Sequence, residues 1–372
     1  MRITDIEVVV LRVPPAGQPC EWGWDGVLVL VHTDAGITGV GESDTSPYVV
    51  KSFIDAPHSN LACFGLRELL IGENPLEIQR LWSKMYESSS YMGRRGVGIH
   101  AISAVDIALW DIASQYYKQP IHMLLGGKFR DSIPAYGTFI PVDNPDDNRR
   151  LAAEVLGRGF SSMKFGGGVF GLDIEHDYKV VQAVRAEVGD NIGVMIDMVS
   201  RWKTWNNALA CCKRLEKFNL GWVEEPVPSD DLDGYCRLAQ AAPQTISGGE
   251  ILATRWEFRD FMERGRPGIV QPDITRCGGI SEMVRIGHLA EMYGMRLVPH
   301  GFSTGILLQA TIQFLAAYPD GNLIEYSQSA SPLFTDLTGP MPKLVGGALP
   351  VPDLIGLGST LDWDCVKKYR VV

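Results

Sequence analysis

The chain has 372 residues, 45% of them hydrophobic and 21% charged, a balance that fills a sizeable core and excludes an intrinsically disordered protein. A formal net charge of −10 argues against a nucleic-acid partner, because phosphate is repelled, and the polar start MRITDIEVVVLRV is not a signal peptide. No run of 18 apolar residues suggests a membrane span, and seven scattered cysteines without a CxxC pair read as reduced thiols of a cytoplasmic protein.

The first 40 residues predict β structure. ITDIEVVVLRV (3–13), VLVLVHT (27–33) and ITGVGES (37–43) read as strands, with TDAG (33–36) as a tight turn. From about 60 to 125 the apolar spacing turns helical, through LRELLIG, PLEIQRLWSKMY with Pro75 at a helix start, and HAISAVDIALWDIASQYY. After Gly126–Gly127 the pattern alternates. Strand-like runs are IPAYGTF (133–139), SSMKF (161–165), NIGVMIDM (191–198), GWVEE (221–225), TISGGE (245–250), GIVQPD (268–273), RLVPH (296–300) and NLIEY (322–326). Helical patterns separate them from EHDYKVVQAVRAEV onward. Repeated strand–helix units mean parallel strands with crossover helices, and seven or eight units suggest a closed α/β barrel rather than an open doubly wound sheet. The expected organisation is an N-terminal α+β domain over 1–125, a barrel over 126–326, and a Gly- and Pro-rich segment, 327–372, that returns to the N-terminal domain.

The strand ends carry the chemistry. Lys164, Asp197, Glu224, Glu250, Asp273, His300 and Glu325 each close an apolar run, and from Asp197 to His300 the steps are 27, 26, 23 and 27 residues, one strand–helix unit each. An apolar strand has no packing reason to finish repeatedly on an ionisable group, but in a barrel these ends converge on one mouth. Asp197, Glu224 and Glu250 brought together would repel unless a cation sits among them, and all-oxygen ligation selects a hard ion, Mg²⁺. Strand alternation places Glu224 at the mouth and turns Glu225 away, towards a polar partner in the next layer. Asp273 can fix the tautomer of His300. Lys164, across the barrel, is expected to have its pKa lowered towards neutrality beside a divalent cation. A metal flanked by two bases suits removal of a proton next to a carboxylate, with Glu325, if protonated, donating to the second oxygen of the resulting enediolate. The intermediate then regains a proton or expels a β-hydroxyl.

The residues TDAGITGVGES, SAVDIALWDIASQYYKQPIHMLLGG, VMID, VEEP, SGGE, IVQPDITRCGGISE and VPH, in this order, resemble the enolase superfamily, specifically its mandelate racemase subgroup. The resemblance implies a capping domain on a modified TIM-type barrel, (β/α)7β, with Asp197, Glu224 and Glu250 as Mg²⁺ ligands, Asp273 and His300 as a dyad, Lys164 as the opposed base, and Glu325 as the acid on the carboxylate side. It also implies a small carboxylate substrate and a symmetric homo-oligomer. Two positions depart from the subgroup's pattern. Ser162 stands where the first lysine of Lys-X-Lys is usual, and Val199 stands two residues after the first ligand, where Asn is frequent. Both changes fall where substrate groups lie, so Ser162 and nearby Arg201 are candidate substrate contacts. CEWGWDG (20–26) matches a lid, making Glu21, Trp22 and Trp24 further candidates, with Ser46, Pro47 and Tyr48 as a second wall. Gly166–Gly168 lacks the Lys-Ser/Thr of a phosphate loop and reads as a close-approach turn. Three activities fit: dehydration of an acid sugar to a 2-keto-3-deoxy acid, racemisation or epimerisation of a 2-hydroxy acid, or binding of a sugar acid without turnover. Cycloisomerisation is disfavoured, because PDITRCGG supplies the aspartate of a His–Asp dyad rather than a catalytic lysine.

Overall fold

A computed structural model describes residues 1–13, 22–358 and 360–371. The N-terminal sheet is antiparallel, ordered β1 (Ile3–Arg12), β2 (Asp25–Thr33), β3 (Thr38–Ser43). The β2–β3 turn closes where Gly36, at φ +74°, donates its N–H to the Thr33 carbonyl at 3.2 Å. Three helices cover this sheet: α1 (Pro47–Asp55), α2 (Ile78–Ser88) and α3 (Val97–Tyr117). Pro75 lies in a turn before α2 rather than at its first residue. The TGVG of β3 allows α3 to press on the strand, since a Cβ at Gly41 would stand 1.8 Å from the Ala104 carbonyl oxygen. Helix α3 is long and apolar enough to cross a membrane, but 83% of its apolar window is buried in the protein; it is a core helix.

The second unit is a modified (β/α)7β barrel. Seven strands are each followed by a helix: β4 (Ser132–Phe139), α4 (Pro145–Gly157), β5 (Ser162–Gly166), α5 (Ile174–Val188), β6 (Gly193–Asp197), α6 (Trp205–Leu215), β7 (Val223–Glu224), α7 (Leu232–Ala241), β8 (Ile246–Gly248), α8 (Thr254–Asp260), β9 (Ile269–Val270), α9 (Gly279–Tyr293), β10 (Arg296–Leu297) and α10 (Gly305–Ala317). The plain strand β11 (Ile324–Ser327) completes the curled parallel sheet, ordered β10-β9-β8-β7-β6-β5-β4-β11. Strand β12 (Ala348–Pro350) adds antiparallel to β4. Helix α4 escaped the periodicity reading. Its start was marked, however: Asn144 accepts from the Asp146 N–H, Pro145 follows, and Asp146 and Asp147 sit in the first turn.

Buried carboxylates staple the two units. Glu42 of β3 accepts from Ser303 Oγ and Thr304 Oγ1, both at 2.6 Å, and from the N–H groups of Thr304 and Leu307 at the start of α10. Burial nonetheless pushes its pKa up to about 7 against those donors. Asp106 of α3 accepts from the Ser281 N–H in α9 at 2.9 Å. After β12 the chain returns to the N-terminal sheet: the Leu357 N–H donates to Asp111 at 3.2 Å, and the short helix α11 (Trp363–Tyr369) brings Arg370 beside Leu11 and the Val371 N–H to the Val10 carbonyl at 2.9 Å.

Candidate active site

A cavity of about 800 Å³ opens over the C-terminal ends of the barrel strands, beneath the cap. Lys164, Asp197, Glu250, His300 and Glu325 line its barrel side, and Trp22, Tyr48 and His100 line its cap side.

Asp197, Glu224 and Glu250 end three successive staves, and each offers a carboxylate oxygen within 4.8 Å of the others. Burial, then the neighbouring Glu224 and Glu250 carboxylates, push the Asp197 pKa well above its usual range, the signature of anions crowded without enough countercharge. Glu224 is clamped from behind: Trp222 Nε1 donates to its Oε2 at 3.0 Å and Gln271 Nε2 at 2.6 Å. Three carboxylates sharing one small space form an all-oxygen donor set that fits a hard divalent cation.

The trio lies between two nitrogen bases. Lys164 Nζ donates to Glu224 Oε1 at 2.7 Å, and His300 Nε2 lies 3.3 Å from Glu250 Oε2. His300 Nδ1 meets Asp273 Oδ2 at 2.7 Å, and the Thr275 N–H and Oγ1 hold the other Asp273 oxygen at 2.7 and 2.6 Å. Burial disfavours the His300 imidazolium, but Glu250 and Asp273 outweigh it and raise the pKa to about 10.

Three expectations meet the protein's own charges and backbone. Those charges do not lower Lys164: burial acts in that direction, but its ion pairs with Glu224 and with Glu325, the latter at 3.0 Å, hold it well above the ordinary lysine value, so the expected lowering is left to the cation. Among the protein's own groups, Lys164 and His300 overcome burial and hold the Glu325 carboxyl below its usual range. It accepts from Tyr136 Oη at 3.2 Å and the Gly301 N–H at 3.0 Å. Glu225 has the expected polar partner, with Ser229 Oγ donating at 3.4 Å, but it does not turn away. Its φ of +40° breaks the strand alternation and leaves it on the cavity wall, where burial and the carboxylates of Glu250 and Glu224 raise its pKa to about 8.

The candidate substrate contacts divide. Trp22, 62% exposed, and Arg201 line the cavity, with Arg201 Nη1 held by the Phe170 carbonyl at 2.5 Å. Ser162 is absent from the lining; it pairs with Gly193 at the start of β5, a layer below Lys164. Trp24 is also absent from the lining and packs on the core. Glu21 lies outside the described residues. Ser46, Pro47 and Tyr48 all line the cavity. Val199 lines it in a left-handed conformation, φ +46°, unusual for a β-branched residue. At the Gly166–Gly168 turn a Cβ on Gly166 would stand 2.2 Å from the Asp197 carbonyl oxygen, so the close approach is real.

Other residues of the site went unread in the sequence. Gln271 is a polar residue inside an apolar strand run, and Trp222 lies two residues before Glu224 on the same strand face; both were readable signals. His100 gave none, since it sits in an ordinary helical pattern. Neither of its ring nitrogens has a hydrogen-bond partner among the described residues, and burial followed by the Arg276 charge lowers its pKa to about 4, so the imidazole is neutral.

Residues 6–126 match the mandelate racemase / muconate lactonizing enzyme N-terminal domain, and residues 147–365 match the enolase C-terminal domain-like family. The chain belongs to the enolase superfamily, in its mandelate racemase subgroup. Within it, the chain is 34% identical to an arabinonate dehydratase of Saccharolobus solfataricus, over 91% of this chain and 89% of that one. It is 32% identical to a D-galactarolactone cycloisomerase of Agrobacterium fabrum, over 93% and 91%. The crystal structure of a 3,6-anhydro-D-galactonate cycloisomerase from Zobellia galactanivorans superposes with a TM-score of 0.91, at 31% identity and complete coverage of both chains. A racemase from Streptomyces coelicolor A3(2), 27% identical with a TM-score of 0.86 over 99% of this chain and all of that one, was solved with bound magnesium. The protein is therefore an enzyme of an acid-sugar-processing group whose members use Mg²⁺.

Proposed function

We propose that the protein is a Mg²⁺-dependent acid-sugar dehydratase, acting on an aldonate or aldarate and releasing a 2-keto-3-deoxy acid. The observation that carries this reading is the placement of Lys164 and His300 at the two flanks of the carboxylate trio, each within 3.3 Å of one of its members. Asp197, Glu224 and Glu250 would hold the ion. Bound there, Mg²⁺ supplies positive charge for the negative charge that develops on the substrate carboxylate. The α-proton passes to Lys164 Nζ or His300 Nε2, whichever faces it at C2. The electron pair left on C2 forms a double bond to C3, and the C3–O bond breaks with its pair. A proton from His300 turns the departing hydroxide into water, and the enol product tautomerises to the keto acid. Asp273 holds His300 by Nδ1, which leaves Nε2 for the substrate. Glu225 and Glu325 stay in the wall, while Trp22 and Tyr48 cover the cavity from the cap.

A lysine must lose a proton before it accepts one. Lys164 is held protonated by Glu224 and Glu325, so the reading requires Glu224 to be engaged elsewhere during turnover. A second reading, cycloisomerisation, is favoured by the names of two relatives at 32% and 31% identity. It shares proton removal and differs in the bond that breaks next. Epimerisation needs the same two flanking bases and no leaving group.

The deciding experiment incubates the protein and Mg²⁺ with a panel of aldonates, aldarates and their lactones in ²H₂O. A semicarbazide-trapped keto acid lighter than its substrate by the mass of water supports dehydration, and a keto acid isomeric with a lactone substrate supports cycloisomerisation. Solvent deuterium in recovered substrate of inverted configuration supports epimerisation. Intact Mg²⁺ binding with no product and no exchange reduces the protein to a sugar-acid binder. The subgroup's habit of symmetric assembly extends the proposal to a cytoplasmic homo-oligomer, which sedimentation tests. The division into cap (1–125), barrel (126–326) and returning segment (327–372) is part of the same proposal.

A further inference from the structure

Arg276 follows β9 by a few residues, and Asp44 lies one residue past β3; they meet across the seam between cap and barrel. The Arg276 side chain is 7% exposed, and its guanidinium is used on three sides. Nη2 donates to Asp44 Oδ2 at 2.6 Å, Nε to the Asp44 carbonyl at 2.9 Å, and Nη1 to Glu250 Oε1 at 3.1 Å. The other Glu250 oxygen faces His300. The Asp44 N–H donates at 3.2 Å to Thr275 Oγ1, the hydroxyl that itself donates to Asp273. A single cap residue thus touches the support of the carboxylate trio and the support of the His–Asp dyad.

We infer that Asp44 and Arg276 are positioning residues that fix Glu250 for the metal, so that Mg²⁺ affinity is set partly from the cap; the inference rests on reading the trio as the Mg²⁺ site. A planar guanidinium spans two acceptors at a fixed angle, which an ammonium cannot do. It also relieves the repulsion within the trio before any ion arrives, and it keeps Glu250 from swinging freely. Supporting contacts of this kind carry roughly 10–100-fold in metal affinity. A cation at Glu250 also repels an incoming ion, so the two effects have opposite signs and the measurement reveals which prevails.

The test is calorimetric titration of Mg²⁺ into the metal-free full chain without substrate, which makes it independent of any reaction. Positioning predicts that Arg276→Gln weakens binding by at least about tenfold. It also predicts that Arg276→Lys fails to restore the loss, and that Asp44→Asn weakens binding by a smaller factor. Wild-type or tighter affinity in Arg276→Gln overturns the inference, as does full rescue by lysine, which would assign the effect to charge alone. If circular dichroism shows Arg276→Gln to be unfolded, folded Asp44→Asn decides: unchanged affinity there overturns it. A wild-type protein that binds no Mg²⁺ removes the trio reading itself, a separate and distinguishable result.

Discussion

The two sides of the cavity are built differently. On the barrel side most charged groups are paired: Lys164 bridges Glu224 and Glu325, and His300 bridges Glu250 and Asp273, two clusters of ion pairs at 2.7–3.3 Å. On the cap side Trp22 and Tyr48 are exposed rings, 62% and 49%, and His100 is an imidazole whose nitrogens lack partners among the described residues. One side pairs most of its charges internally but leaves its carboxylate trio short of countercharge, and the other leaves neutral bonding capacity for a visitor. Under the proposed function, the contrast assigns the chemistry on the carbon acid to the first side and the choice of carbon acid to the second.

The strongest way to break this contrast is to remove a base. Lys164→Ala and His300→Asn should each lower turnover by about 10²–10⁴-fold while retaining Mg²⁺ binding. The variant that still exchanges the α-proton with ²H₂O retains the abstracting base; normal turnover in both would end the two-faced mechanism. Next, Glu224→Gln should weaken Mg²⁺ binding by about 100-fold or more, beyond the cost of a supporting contact. Glu225→Gln should leave it nearly unchanged, although Glu225 lines the cavity and follows Glu224 in the chain. Equal losses by calorimetry would make Glu225 a ligand.

The seam between the sides offers a pH test. The Glu42 pKa rises on folding from 4.5 to about 7, so the folded chain keeps a proton that the unfolded chain releases. This group therefore makes the protein less stable as pH climbs from about 4.5 to 7, by roughly 3 kcal/mol in total. Glu42→Gln should flatten that part of the stability–pH curve in urea unfolding; an unchanged slope would show that Glu42 is ionised in the fold. The smallest effect belongs to the cap wall. His100→Phe should raise KM for the acid sugar turned over by the wild type about tenfold, the loss of one hydrogen bond, with little change in kcat. An unchanged KM would mean that the imidazole meets only solvent.

The barrel side was largely legible from the chain because a repeating stave puts its chemistry at a repeating place, and an ionisable residue every 23–27 positions stands out against apolar runs. Where local backbone departs from the regular strand, the reading failed. Glu225 was assigned by alternation, and its φ of +40° overrode that rule. The partners that set charge states were not legible in the chain, because Lys164 is paired with Glu325, 161 residues away, and not with neighbours in the sequence. The cap wall has no period at all. Tyr48 was reached as a wall residue, but His100 and Arg276 become neighbours of that space only when two units dock, and nothing in HAIS or PDITR records the partner surface.

The return of the last turn to β1, with Val371 bonded to Val10, anchors the roof of the cavity by both ends of the chain. Among the described residues this roof is also pinned along its seam by Glu42, Asp106 and Asp44. A cap tied down at several separate points lets single wall residues be exchanged without unseating it, which gives new preferences a route through one side chain at a time.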